Sequence, residues 1–326
     1  MMRKLMVMLL VFLMSAVLCV SINLGVSGAQ EDRFPSKPIK LLIREGPGGS
    51  LDVPVRALSK AAEKILGQPI VCVNFPGGGG TRVLTSLLKE KPDGYTLGTL
   101  AIGSIIQAHV EKMEFKVPDD FTPIIKFQCH PGPIAVRKDA QWKSWKEFLD
   151  FARDHKGEIK IGVWGSKSMV WLTMKQIEAV ENVKFTYVPH ASTGEAMTQV
   201  LGGHIDATTG SSAVMYSKPG GELRTLLLFM DKRFKSLPDV PIAKELGYKG
   251  VLIEGGYSGI LAPKGLPGPV LNRLHDAFKK AMEDEDYIKI VDKYMLSISH
   301  KNSEEYKNEL KEVSEAIKDA LEKIKD

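Results

Sequence analysis

Cysteine is scarce in this chain, with three among 326 residues. The seven histidines, His109, His130, His155, His190, His204, His275 and His300, never recur at a metal-ligand spacing with one another or with a cysteine, so a metal site has no local support. An excess of charge of either sign is also missing. The 44 basic side chains stand against 39 acidic ones, a balance that argues against nucleic acid and against a charged membrane surface as partners. The glycine run at 77–81 lacks the Gly-Lys-Ser/Thr ending of a phosphate-binding loop, and no Gly-x-Gly-x-x-Gly opens a helix after a strand. Nucleotide cofactors therefore lose their usual cradles, and no cofactor is expected. Gly256-Tyr257-Ser258-Gly259 falls one residue short of a Gly-x-Ser-x-Gly elbow and precedes a strand, which disfavours a serine hydrolase. Nothing repeats with a solenoid period, and no low-complexity tract is present.

Long apolar runs are missing too, with one exception. Arg3 and Lys4 precede the apolar run 5–20, and Ser27-Gly28-Ala29 follows. A run of this length is short of the roughly 20 residues a membrane span needs. It has the layout of a secretory leader, with cleavage expected after Ala29. Leu18 stands before Cys19 where lipid attachment wants a small residue. Removing the leader takes the formal charge from +5 to +3 and leaves 297 residues, enough for two domains. Cys72 and Cys129 remain. An oxidising compartment permits a bridge between them, and two buried thiols are the simpler reading.

From Pro38 onward, short apolar runs alternate with helix-length amphipathic segments, the rhythm of an α/β fold. Strands are expected at 39–43, 70–73, 95–100, 134–136, 159–163, 185–188, 205–208 and 257–261. Helices are expected at 51–66, 82–89, from a Ser144 cap to 153, after 168, and at 195–201. The last helix carries Leu310, Val313, Ile317, Leu321 and Ile324 on one face, for packing on the first domain. The Pro131-Gly132-Pro133 patch marks the crossing into a second domain, and Gly255-Gly256 marks the return. This divides the chain into a leader at 1–29, one lobe from 30–130 with 256–326, and a second lobe at 131–255. Each lobe is expected to be a mostly parallel sheet flanked by helices.

Four loops join a strand to a helix mouth with small and hydroxyl residues: 46–50, 77–81, 165–168 and 191–194. Unpaired N–H groups at helix starts favour anions, and such loops gather at the carboxyl ends of strands. Glycine also serves turns for their own sake, so any one loop is ambiguous. Together the four point to a cleft suited to a carboxylate.

The order and spacing of several landmarks narrow the reading. They are Phe34-Pro35-Ser36-Lys37-Pro38-Ile39-Lys40, Gly46-Pro47-Gly48-Gly49 with Asp52 and Arg56, Gly67-Gln68-Pro69, Asn74 with Pro76-Gly77 and Gly79-Gly80-Thr81, and Lys91-Pro92-Asp93-Gly94-Tyr95-Thr96-Leu97. Further on come Val188-Pro189, Leu201-Gly202-Gly203-His204-Ile205-Asp206, Leu223-Arg224, Leu237-Pro238-Asp239-Val240-Pro241 and Leu261-Ala262-Pro263. Over nearly the whole mature chain this resembles the tripartite tricarboxylate transporter substrate-binding proteins, the Bug receptors. The resemblance implies a periplasmic, two-lobed binding fold that closes on a small carboxylate-bearing ligand by hinge motion and delivers it to membrane permease subunits, without catalysis. The mature form is expected to be monomeric. A sensor acting on a membrane receptor, or an exported hydrolase on the same lobes, are the alternatives.

By position, the resemblance assigns ligand contacts to Glu45, Gly46, Pro47, Gly48, Gly49, Ser50 and Asp52, and to Gly79, Gly80 and Thr81. In the second lobe it assigns them to Gly165, Ser166, Lys167, Ser168, His190, Ser192 and Thr193. Asp206 is included, with orientation of a neighbouring loop as its more natural role. Two departures stand out. Arg44-Glu45 replace the family's Pro and aromatic residue, and His190 replaces a tyrosine. A carboxylate at Glu45 disfavours a plain dianion unless Arg44 or Lys167 neutralises it or the ligand carries an amine. Alternatively, Glu45 faces solvent, paired with Arg44.

Overall fold

The computed structural model describes residues 34–48, 51–164, 169–190, 193–209, 213, 217, 220–230, 232–234, 236–248 and 256–324. The strand period of two explains how its first sheet is covered on both faces. In β1 (Ile39–Ile43), Ile39, Leu41 and Ile43 enter one apolar cluster and Leu42 enters another. The first cluster takes Val55, Leu58 and Ala62 from α1 (Asp52–Leu66). It also takes Leu274 and Phe278 from α7 (Gly268–Ala281), and Tyr287 and Val291 from α8 (Glu285–Lys293). The opposite cluster is built from Val83, Leu84 and Leu87 of α2 (Thr81–Leu87), Ile105 and Ile106 of α3 (Ile102–Val110), and the stripe Tyr306, Leu310, Val313, Ile317 of α9 (Ser303–Lys323). Gly67 closes α1 in the left-handed conformation, with φ 74° and its N–H on the Glu63 carbonyl, so the helix ends at 66, as expected.

The sheet order is β11-β4-β10-β3-β1-β2, with β2 at Ile70–Asn74, β3 at Thr96–Ala101, β4 at Phe121–His130, β10 at Gly256–Pro263 and β11 at Ser297–Lys301. β1 pairs in parallel with β2 and β3, whereas β10 runs antiparallel to β3 and β4, and β11 antiparallel to β4. The second sheet has the order β7-β6-β8-β5-β9. Its strands are β5 (Gly132–Arg137), β6 (Lys160–Trp164), β7 (Thr186–His190), β8 (Ala207–Thr208) and β9 (Leu223–Phe229). There β6 is parallel to β7 and β8, while β5 is antiparallel to β8 and β9. The α/β reading holds, but both sheets are mixed where mostly parallel ones were expected. The strands that follow a crossing between the sheets are reversed: β5 runs antiparallel to both its neighbours β8 and β9, and β10 to both β3 and β4, while β11 also runs antiparallel to β4.

Helix α4 (Trp145–Asp154), capped by Ser144, packs Phe148, Leu149 and Ala152 on one face of the second sheet. Helix α6 (Thr193–Leu201) covers the other with Met197 and Val200. Between the sheets lies α5 (Met169–Glu181). Its Met169 and Leu172 belong to the first sheet's cluster, its Met174 and Ile177 to the second's, and Trp171 packs against both. Met295 joins Leu228, Met230, Phe234 and Ile242 in a further apolar contact between the two parts.

Cys72 on β2 and Cys129 on β4 are not joined in a disulfide. Four strand spacings separate their strands, roughly 19 Å at about 4.8 Å each, far beyond disulfide reach. Among the described residues no helix is long and apolar enough to cross a membrane.

Candidate functional site

Strands β1, β2 and β3 run parallel, so their carboxyl ends bring together Arg44, Asn74 and Ala101 and the segments that follow them. Arg44 is held by its own backbone: its N–H donates to Thr99 Oγ1 at 3.0 Å, and Thr99 donates on to the Leu42 carbonyl at 3.3 Å. The side chain then turns inward, only 7% exposed. Its Nη2 donates to the Gly79 carbonyl at 2.9 Å and Nη1 reaches Glu45 Oε1 at 3.4 Å, while Nε is buried without a hydrogen-bond partner. Desolvation lowers the guanidinium pKa, against the opposing effect of Glu45.

The glycine loop lies directly over this side chain. Ser104 near the start of α3 donates to the same Gly79 carbonyl at 3.2 Å. Gly80 has φ 104°, and a Cβ there would stand 2.6 Å from Arg44 Nε and overlap Ser104 Oγ. Only glycine lets the loop approach the guanidinium so closely. Gly79 is exposed, and buried Thr81 turns its hydroxyl back to the Gly78 carbonyl at 2.9 Å.

Gly46, Pro47 and Gly48 form the other rim, with Pro47 and Gly48 exposed. Glu45 closes back over the mouth of α1. Its Oε2 accepts the Leu51 N–H at 2.9 Å while Oε1 faces Arg44. Asp52 braces the rim from beneath, accepting Gly48 N–H (2.9 Å), the Asn74 amide (2.7 Å) and Arg56 Nε (2.8 Å). Burial works against ionisation of Asp52, but these donors outweigh it and hold its carboxyl below the ordinary range. With both oxygens engaged internally, Asp52 positions the loop. Asn74 also donates to the Glu45 carbonyl at 2.9 Å, tying β2 to the same turn.

At the end of β4, where the chain leaves for the second sheet, His130 Nε2 is 2.9 Å from Ser258 Oγ and 3.2 Å from Gln128 Nε2. The Gln128 amide nitrogen can only donate, which leaves Nε2 as the bare nitrogen of the ring. Desolvation and the Arg44 charge push the His130 pKa down to about 4. Neither the backbone bond of Arg44 to Thr99, nor its sharing of the Gly79 carbonyl with Ser104, nor its charge effect on His130 was foreseen. Arg44 entered the sequence reading only as a companion of Glu45, and β3 passes into α3 without a glycine cluster to announce a mouth.

In the second sheet, His190 ends β7, with Nδ1 3.6 Å from Glu195 Oε1 in the first turn of α6 and Nε2 buried without a hydrogen-bond partner. Thr193 is the first residue of that helix. Asp206 lies elsewhere. Its Oδ2 accepts the Lys160 N–H at 2.8 Å at the start of β6. The structure thus places it at the amino ends of the strands, a strand length from the mouths, where it acts as a brace. Gly49, Ser50, Gly165, Ser166, Lys167, Ser168 and Ser192 lie outside the described residues. Among the described residues no three His, Cys, Asp or Glu side chains form a metal-holding group.

Comparison with known proteins adds a second kind of finding. The family described as "Tripartite tricarboxylate transporter family receptor" matches residues 55–325. A protein named for the gbd 5′ region of Cupriavidus necator is 33% identical over 296 residues, covering 91% of this chain and 90% of that one. A ligand-free crystal structure of a TctC solute-binding protein from Polaromonas has TM-score 0.78 at 30% identity, covering 89% of this chain and 99% of that one. MatC from Rhodopseudomonas palustris with bound malate has TM-score 0.72 at 23% identity, covering 88% and 100%, which speaks for the two-lobed fold alone.

Proposed function

The chain belongs to the tripartite tricarboxylate transporter receptor family, and on that footing we propose that it is an extracytoplasmic receptor that captures a small carboxylate-bearing molecule and hands it to a membrane permease of the tripartite type. The observation that carries the ligand class is the buried Arg44 guanidinium beneath the carboxyl ends of β1 and β3, ringed by the open turns at 46–48 and 77–80. A fixed positive charge held in a largely buried setting favours an anion. The malate bound by the Rhodopseudomonas palustris protein is of the same chemical class.

In this reading, residues 30–130 with 256–326 form one lobe and 131–255 the other, and the ligand lies between them. The second lobe's share falls to 165–168, His190 and the start of α6. The lobes turn about the crossings near 130–132 and 256, next to the anion site. Residues 1–29 are a leader removed after Ala29. The receptor binds and releases its ligand unchanged, in keeping with the receptor family to which the chain belongs.

Thermal unfolding of residues 30–326 against citrate, malate, glutamate, benzoate and neutral sugars tests this. A ligand at about 100 times its Kd adds about 2.7 kcal/mol of stability, several degrees in Tm for a chain of this size. Carboxylates are expected to give that shift and sugars none. A shift with sugars alone, or conversion of the bound acid over prolonged incubation, would sink the proposal.

A further inference from the structure

Buried charge is costly unless paired, and Arg44 is poorly paired. Of its five N–H donors, two meet acceptors among the described residues: one reaches a backbone carbonyl at 2.9 Å, the other a carboxylate at 3.4 Å, long for a charge-assisted bond. Nε faces Gly80 and Ser104 with no acceptor. Glu45, its single counter-ion among the described residues, is its neighbour in sequence and itself 19% exposed. The same carboxylate fills the mouth of α1 through Leu51 N–H. Glu45 therefore occupies both donors that an incoming carboxylate would seek here, the helix mouth and the cationic side chain.

Resting on the receptor reading above, we propose that Arg44 is the charge-reading residue of this receptor and that Glu45 is a built-in stand-in anion, displaced when the carboxylate of the ligand takes its place on Arg44 and the α1 mouth. The exchange is one carboxylate for another on the same donors, so it needs no new cation and no rebuilding of the turn. Thr99 and the Gly79 carbonyl keep the guanidinium in position throughout. The cost of displacing Glu45 sets a threshold: only an anion that gains further contacts, from the 77–80 turn or the other lobe, outcompetes a resident carboxylate held at high effective concentration. Weak, small anions such as acetate are excluded on this ground.

Calorimetric titration of residues 30–326 with malate, citrate, glutamate, benzoate and acetate checks the assignment. Glu45→Gln keeps an acceptor for Leu51 N–H but removes the competing charge. It is expected to tighten every carboxylate that the wild type binds by about tenfold and to bring acetate into the measurable range. Arg44→Gln is expected to weaken the same ligands by on the order of 100-fold, with Arg44→Lys in between because a point charge replaces a planar fork. Circular dichroism shows whether Arg44→Gln is folded. If it is not, Glu45→Gln decides alone. Unchanged or weaker binding in Glu45→Gln, or unchanged binding in a folded Arg44→Gln, overturns the inference while leaving the receptor reading intact. A wild type that binds none of these anions overturns both.

Discussion

His130 shows how one position can tie the site to stability. Desolvation and Arg44 hold its pKa at about 4, against about 6.5 in an unfolded chain. Between those values the unfolded chain takes up a proton that the folded protein refuses, so this residue's contribution to stability falls as pH drops through 6.5 towards 4. His130→Gln retains a polar partner for Ser258 and removes the slope. Urea unfolding at pH 7 and pH 4.5 is expected to show wild type losing on the order of 2 kcal/mol more than the variant over that interval. Little of this residue-level chemistry was legible in the sequence. The glycines at 46–48 and 77–80 announced turns at helix mouths, because only a few residue types adopt those conformations. The meeting of Arg44, Ser104, His130 and Ser258 depends on which strand ends lie side by side, and no local pattern encodes that. The bracing role of Asp206 was the more natural reading of its position, but a motif position does not say which end of the sheet it occupies.

At the scale of single elements, α9 illustrates both a readable and an unreadable docking. Its apolar stripe, with Leu310, Val313 and Ile317, gave away the buried face. The same face also buries Glu309, paired with Lys126 of β4 at 2.7 Å and with Lys301 at 3.1 Å, while Lys126 stands 4.3 Å over the Tyr257 ring. Removing one partner strands a buried charge. Glu309→Ala is expected to cost 3 to 5 kcal/mol, roughly the penalty of breaking such pairs, whereas Lys126→Met with Glu309→Leu is expected to stay near wild-type stability. Equilibrium denaturation of the single and double variants distinguishes these. Those polar interior positions also hid β4: Lys126 and Gln128 interrupt what would otherwise read as a buried apolar run. Helix α3 was missed because it follows β3 with no intervening turn residue. Among the elements that were legible, β1, α1, β2 and α4 are bounded by Gly, Pro or a Ser cap.

For the whole molecule, the two sheets and the points where the chain passes between them follow from composition, because Pro131-Gly132 and Gly256 punctuate the strands at those junctions. The pairing directions do not follow from composition, since no local signature marks β5 and β10 as the strands that run antiparallel to both neighbours. Helix α5 lies across both apolar clusters, and Trp171 packs against each. Any rotation of one lobe against the other changes what surrounds that indole. Ligand addition is expected to shift tryptophan emission, and Trp171→Phe to remove most of the shift while leaving the calorimetric affinity in place. Trp142 and Trp145 are buried in the second sheet's apolar cluster and provide a steady background, and Trp164, which ends β6, is changed to Phe in both proteins compared. With that outcome Trp171 would serve as an intrinsic optical gauge of ligand binding, which would make binding kinetics measurable in a stopped-flow instrument without attaching a dye.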